Sequence, residues 1–100
     1  MIREFEASEF IAMLALNEEE NGKNELRISI DDLFKEARDI EQRHSDVRIN
    51  LSSNSLQSFF CRVPQYIYME HEHIIITDIS HESLFLQNYA SKTTFIELKA

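Results

Sequence analysis

The sequence predicts a single α+β domain in which a helix, a strand, two helices and a hairpin follow one another, closed by a short C-terminal helix or strand. Three patterns predict it. Leu26-Arg27-Ile28-Ser29-Ile30 alternates apolar and polar residues, as a half-buried strand does. Two stretches behind it repeat apolar residues at three- and four-residue steps, the period of a helix with one buried face. Tyr66-Ile67-Tyr68-Met69 and Ile74-Ile75-Ile76-Thr77 are rich in β-branched and aromatic residues. They flank the polar Glu70-His71-Glu72-His73, so they read as a hairpin with that segment as its turn. A chain of 100 residues, 43% of them hydrophobic, suits one core, with residues 1–100 as one domain.

Residues 4–19 form the expected first helix, because Phe5, Glu9 and Met13, and Phe10 with Leu14, stand at helical spacing. Its apolar surface is broad. It either packs into the core or pairs two copies through Phe5, Phe10, Ile11 and Leu14. Glu18-Glu19-Glu20 reads as a solvated helix end and Asn21-Gly22-Lys23-Asn24 as a turn. Ser29 stands three residues before Asp32, the spacing at which a hydroxyl caps a first turn, and Asp32 suits the positive helix end. The helix behind it is expected to bury Leu33, Phe34, Ala37 and Ile40 and to end near His44. The next helix starts within Ser52-Ser53-Asn54-Ser55, residues that cap well. Leu56, Phe59, Phe60 and Val63 fall on one arc, with Asn54, Gln57, Ser58, Cys61 and Arg62 opposite, and Pro64 stops it. One core is expected from Leu33, Phe34, Ala37, Ile40, Leu56, Phe60, Ile67, Ile75 and Tyr66 or Tyr68. Ser80 can cap a short helix reaching about Tyr89, although Leu84-Phe85-Leu86 also suits a strand. Thr94, Ile96 and Leu98 alternate with Phe95 and Glu97, which suggests a final strand.

The strand-then-cap run Ile28-Ser29-Ile30-Asp31-Asp32-Leu33, followed by a polar-fronted helix and a hairpin, resembles a winged helix-turn-helix over residues 26–78. The resemblance implies that the hairpin is the wing and that the helix near Ser53 is the recognition helix. Nucleic-acid contacts would then come from Ser53, Asn54, Ser55, Gln57, Ser58 and Arg62, with Arg48 clamping the backbone ahead of them. One segment departs from the pattern. Ser45 to Leu51 is longer than the usual turn between the two helices. Val47, Ile49 and Leu51 alternate with Arg48 and Asn50, so it is either a turn or a strand, and as a strand it would make a βαβαββ sheet.

The formal charge of −8 is uneven. Residues 1–36 hold four basic and ten acidic groups, and residues 64–100 hold two and five. Residues 37–63 hold Arg38, Arg43, Arg48 and Arg62 against Asp39, Glu41 and Asp46. Arginine forms bidentate bonds to phosphate and guanine, which favours nucleic acid there. The acidic whole and the carboxylates Glu70 and Glu72 in the hairpin turn oppose it, since phosphate neutralisation drives non-specific binding.

Much chemistry is excluded. Gly22 is the one glycine, so there is no phosphate-cradling glycine loop. Cys61 has no motif around it, and a single cysteine forms no internal disulfide. His71, His73 and His81 with nearby carboxylates match no ligand spacing, and a turn is a natural place for solvated His and Glu. No enzyme activity, cofactor or metal is expected. The N-terminus is not a signal peptide, and Phe10 to Leu16 is too short to span a membrane, so the reading is cytoplasmic. Two functions stay open: a small DNA-binding transcriptional regulator, and an acidic module that inhibits or antagonises a basic protein partner.

Overall fold

The computed structural model describes residues 1–90 and 92–99. Ten elements follow in order: β1 (Arg3–Glu6), α1 (Ala7–Glu20), β2 (Leu26–Ser29), α2 (Ile30–Arg43), β3 (Val47–Asn50), α3 (Ser53–Phe60), β4 (Ile67–Glu70), β5 (His73–Ile76), α4 (Ser83–Gln87) and α5 (Lys92–Lys99). β2, β5 and β4 make an antiparallel sheet with β5 at its centre, and β1 pairs with β3 in a separate parallel ladder. The α+β class holds, around one apolar core. Among the described residues no helix is long and apolar enough to cross a membrane.

α1 is the centre of that core. Every residue from Phe10 to Leu16 is buried. A helix that is apolar all round belongs inside a domain. Phe10, Ile11 and Leu14 are therefore committed to the monomer, and Phe5 packs against the same cluster, which removes them as a pairing face. The helix starts at Ala7, later than expected. Arg3 to Glu6 alternate half-buried and exposed positions and find a strand partner, Arg3↔Val47 through Glu6↔Asn50.

That partner settles the Ser45–Leu51 segment as a strand, but one that stays out of the three-stranded sheet. Its far side is closed by α2. Glu41 Oε2 accepts the Ile49 N–H at 2.7 Å, and Arg38 donates to the Ile49 carbonyl at 3.2 Å. Arg38 and Glu41 also pair with each other at 2.7 Å. Side chains thus replace a second ladder, which leaves no reason for a wider sheet here.

α2 is capped as its sequence suggests, with Ser29 Oγ accepting the Asp32 N–H at 3.0 Å. Leu33, Ala37 and Ile40 are fully buried, whereas Phe34 is 40% exposed. One residue beyond Leu33, it has turned about 100° away from the buried arc. On α3, Phe59 is fully buried while Leu56 and Phe60 are half-buried against the core. Ile67 is buried in the core, but Ile75, although buried, lies outside it on the face of the sheet that carries its cross-strand partner Tyr68, and neither Tyr66 nor Tyr68 joins the core. The hairpin turn is only His71-Glu72; Glu70 and His73 belong to the strands. Both turn residues have positive φ, 51° and 58°. Two such residues match the twist of a two-residue hairpin, a role more often filled by Asn-Gly.

Both regular elements of the described C-terminal tail are helices. α4 covers Ser83–Gln87 and buries Leu86. Ser80 is not its cap: its Oγ donates to Asp78 Oδ1 at 2.9 Å, in the loop before. α5 replaces the expected strand. Phe95 and Leu98, three apart, are buried, and Ile96 between them is half-exposed. The period is helical, and the alternation at 94, 96 and 98 was coincidental.

Candidate functional site

The outward face of α3 is built from short polar side chains on an eight-residue helix. Ser52 caps it, its Oγ accepting the Ser55 N–H at 3.2 Å. Ser53, Asn54, Gln57 and Ser58 are all exposed on it, with no acidic residue in its first turn. Ser55 does not belong to this face. It is buried four residues before Phe59 on the inner side, where its Oγ accepts the Ala7 N–H at 3.0 Å and donates to Glu6 Oε2 at 2.7 Å. Asn50 also reaches Glu6 Oε2, at 3.4 Å. The start of α3 is thereby fixed to the start of α1.

Of the two candidate arginines, Arg62 borders the face, whereas Arg48 lies on β3 and turns back on its own segment. Arg48 is exposed and donates to the carbonyls of Ser45 and Val47 at 3.3 and 2.9 Å. Arg62 donates through Nε to the Ser58 carbonyl at 2.9 Å, and its guanidinium lies 5.7 Å from the Tyr89 ring centroid. The ring holds the cation by its quadrupole. Neither arginine has a carboxylate partner among the described residues, so each keeps its full charge. Arg38 and Arg43 differ, being paired with Glu41 and Asp39. The Tyr89 contact had no sequence signal, since it joins α3 to the tail across 27 positions.

The histidines lie apart from this face. His73 Nδ1 is 2.8 Å from the His71 carbonyl, inside the hairpin. His81 lies against Glu82 Oε1 at 3.1 Å and edge-on to Tyr66. Among the described residues no three His, Cys, Asp or Glu side chains converge to hold a metal ion. Cys61 is a free, exposed thiol at the end of α3. In the same loop as His81, Asp78 is held below the usual carboxylate range, chiefly by the Asn24 amide and then by the His81 N–H and the Ser80 hydroxyl. No protein-family model matches this chain, and no curated protein or solved structure does either.

Proposed function

We propose that this chain is a winged-helix module that binds nucleic acid through the outward face of α3, acting in the cytoplasm as a small transcriptional regulator. The order α1, β2, α2, α3, β4, β5, with β5 central in its sheet, supports the winged-helix reading. β1, β3 and the tail are then additions to that frame. One observation carries the choice of face. In a chain of net charge −8, Ser53, Asn54, Gln57 and Ser58 form an exposed face without carboxylates, bordered at its C-terminal end by Arg62, which has no carboxylate partner among the described residues. Hydroxyls and guanidinium groups donate to phosphates, and the amides of Asn54 and Gln57 have the donor–acceptor pair that matches adenine.

With so few cations, binding is weak and its salt dependence shallow, about one slope unit for each phosphate contact. Fluorescence anisotropy on a mixed-sequence DNA duplex at low salt tests it. Arg48→Ala and Arg62→Ala should each weaken binding and reduce the salt slope by about one unit. No binding at low salt, together with recovery from cells of one stoichiometric protein partner that survives nuclease, rejects the regulator. The second reading, an acidic module for a basic partner, draws support from the exposed Glu70 and Glu72 at the hairpin tip, where a DNA-contacting wing more usually carries Lys or Arg.

A further inference from the structure

β4 is an edge strand with one side unused. Glu70 and His73 flank a two-residue turn, so they exchange ladder bonds, and the Thr77 N–H donates to the Tyr66 carbonyl at 3.0 Å in the same phase. The N–H and C=O of Met69, between those pairs, therefore point away from β5, and no partner for either lies among the described residues. The edge is guarded only by its shortness and by Glu70. Tyr68, Met69 and Glu70 are all exposed, and the strand has no lysine, proline or bulge.

The side chains beside this edge define what fits it. Met69, 43% exposed, is one wall of a cleft of about 390 Å³ whose other walls, Ser29, Ile30 and Asp31, lie across β5 on the side away from this edge, so the edge is lined by the side chains of β4 itself. Tyr68 and Glu70 lie on the opposite side of the strand. Asp31, Glu70 and Glu72 are exposed and have no ion-pair partner among the described residues. An added strand gains main-chain bonds from the edge and selectivity from pockets for alternate side chains. Here the edge strand offers the apolar Met69 on one face and the anionic Glu70 on the other.

We propose that the outer edge of β4 takes an extended peptide of a partner protein as an additional strand, with a lysine or arginine of that peptide lying beside Glu70. The surface is separate from the face of α3. The inference rests on the acidic-module reading for the sign of the partner's charge and gives that reading a place and a binding mode.

The test titrates an acetylated, amidated peptide of alternating valine and lysine into the isotope-labelled protein, followed by amide NMR. The amides of Tyr68, Met69 and Glu70 should shift, and a valine–glutamate peptide should leave them unmoved. Met69→Pro removes the outward donor without touching a ladder bond and should abolish binding. If that variant unfolds, Glu70→Lys, at an exposed position of β4, serves instead and should weaken binding by about threefold. No shift on β4, or undiminished binding by these variants, overturns the proposal. Shifts confined to another acidic surface overturn the edge while leaving the acidic-module reading standing. Peptide-independent self-association that Met69→Pro abolishes would assign the edge to a second copy, and overturn it too.

Discussion

Ser55 and Ala7 share a buried hydrogen bond 3.0 Å long across 48 residues of sequence. The Ala7 N–H is one of the first-turn donors of α1 that has no partner within its own helix. Ser55→Ala leaves this donor buried and unpaired and should cost about 1–3 kcal/mol, read from urea or thermal unfolding. Because the same hydroxyl holds Glu6, the variant should also loosen the start of α3. Faster hydrogen exchange at residues 55–58 than in the rest of the core would report that.

Phe59 and Phe60 are adjacent but differ in burial, and stability should separate them. Phe59→Ala empties a fully buried site ringed by Phe60, Phe85 and Tyr89 and should cost about 3–5 kcal/mol. Phe60→Ala loses a half-buried ring and should cost about 1–2 kcal/mol. Chemical denaturation of both variants checks the order.

The hairpin tip carries strain that can be relieved. Glu72 occupies the left-handed region with a side chain, at φ 58°. A residue with a Cβ pays about 1–2 kcal/mol there, which glycine avoids. Glu72→Gly should therefore raise stability by about 1 kcal/mol, offset in part by the greater freedom of glycine in the unfolded chain. An unchanged or lower melting temperature would contradict this.

Asp78 gives a pH dependence of known sign. Its folded carboxyl titrates below 3.8, the ordinary value, because Asn24, the His81 N–H and Ser80 donate to it. A depressed carboxylate stabilises the fold above its unfolded pKa, and that contribution is lost as pH falls through the folded pKa. The NMR titration of Asp78 should thus have its midpoint below 3.8 in the parent and move upward in Asn24→Ala, which removes the largest contributor.

The local devices were legible in the sequence and the long-range ones were not. The Ser29–Asp32 cap, the arc of Phe59 and the hairpin strands follow from spacing within a few residues, whereas α3 ends at Phe60, before it reaches the Pro64 expected to stop it. The strand nature of Val47–Asn50 was open, and only its partner decided it. β1 was missed because four residues read equally well as the first turn of a helix until a parallel strand 44 positions away pairs with them. Ser55 looked like its neighbours in a polar run, and its inward turn is visible only once Phe59 is known to face the core. Arg62 was singled out as a candidate contact, but nothing local connects it to Tyr89.

The parallel β1–β3 ladder also bears on how the chain folds. The hairpin closes across two residues, whereas joining β1 to β3 closes a loop of some forty, which carries a larger entropy cost before any bond forms. Long-range parallel pairing is slow for this reason. The hairpin and the capped α2 should form early, and the ladder that holds the base of α3 should form late and open first. The face of α3 would then be the last surface to reach its native arrangement and the first to lose it, through partial openings that leave the three-stranded sheet intact. In a denaturant series, amide exchange at Phe5 and Arg48 should reach the opened state well before exchange at Ile74 and Ile76.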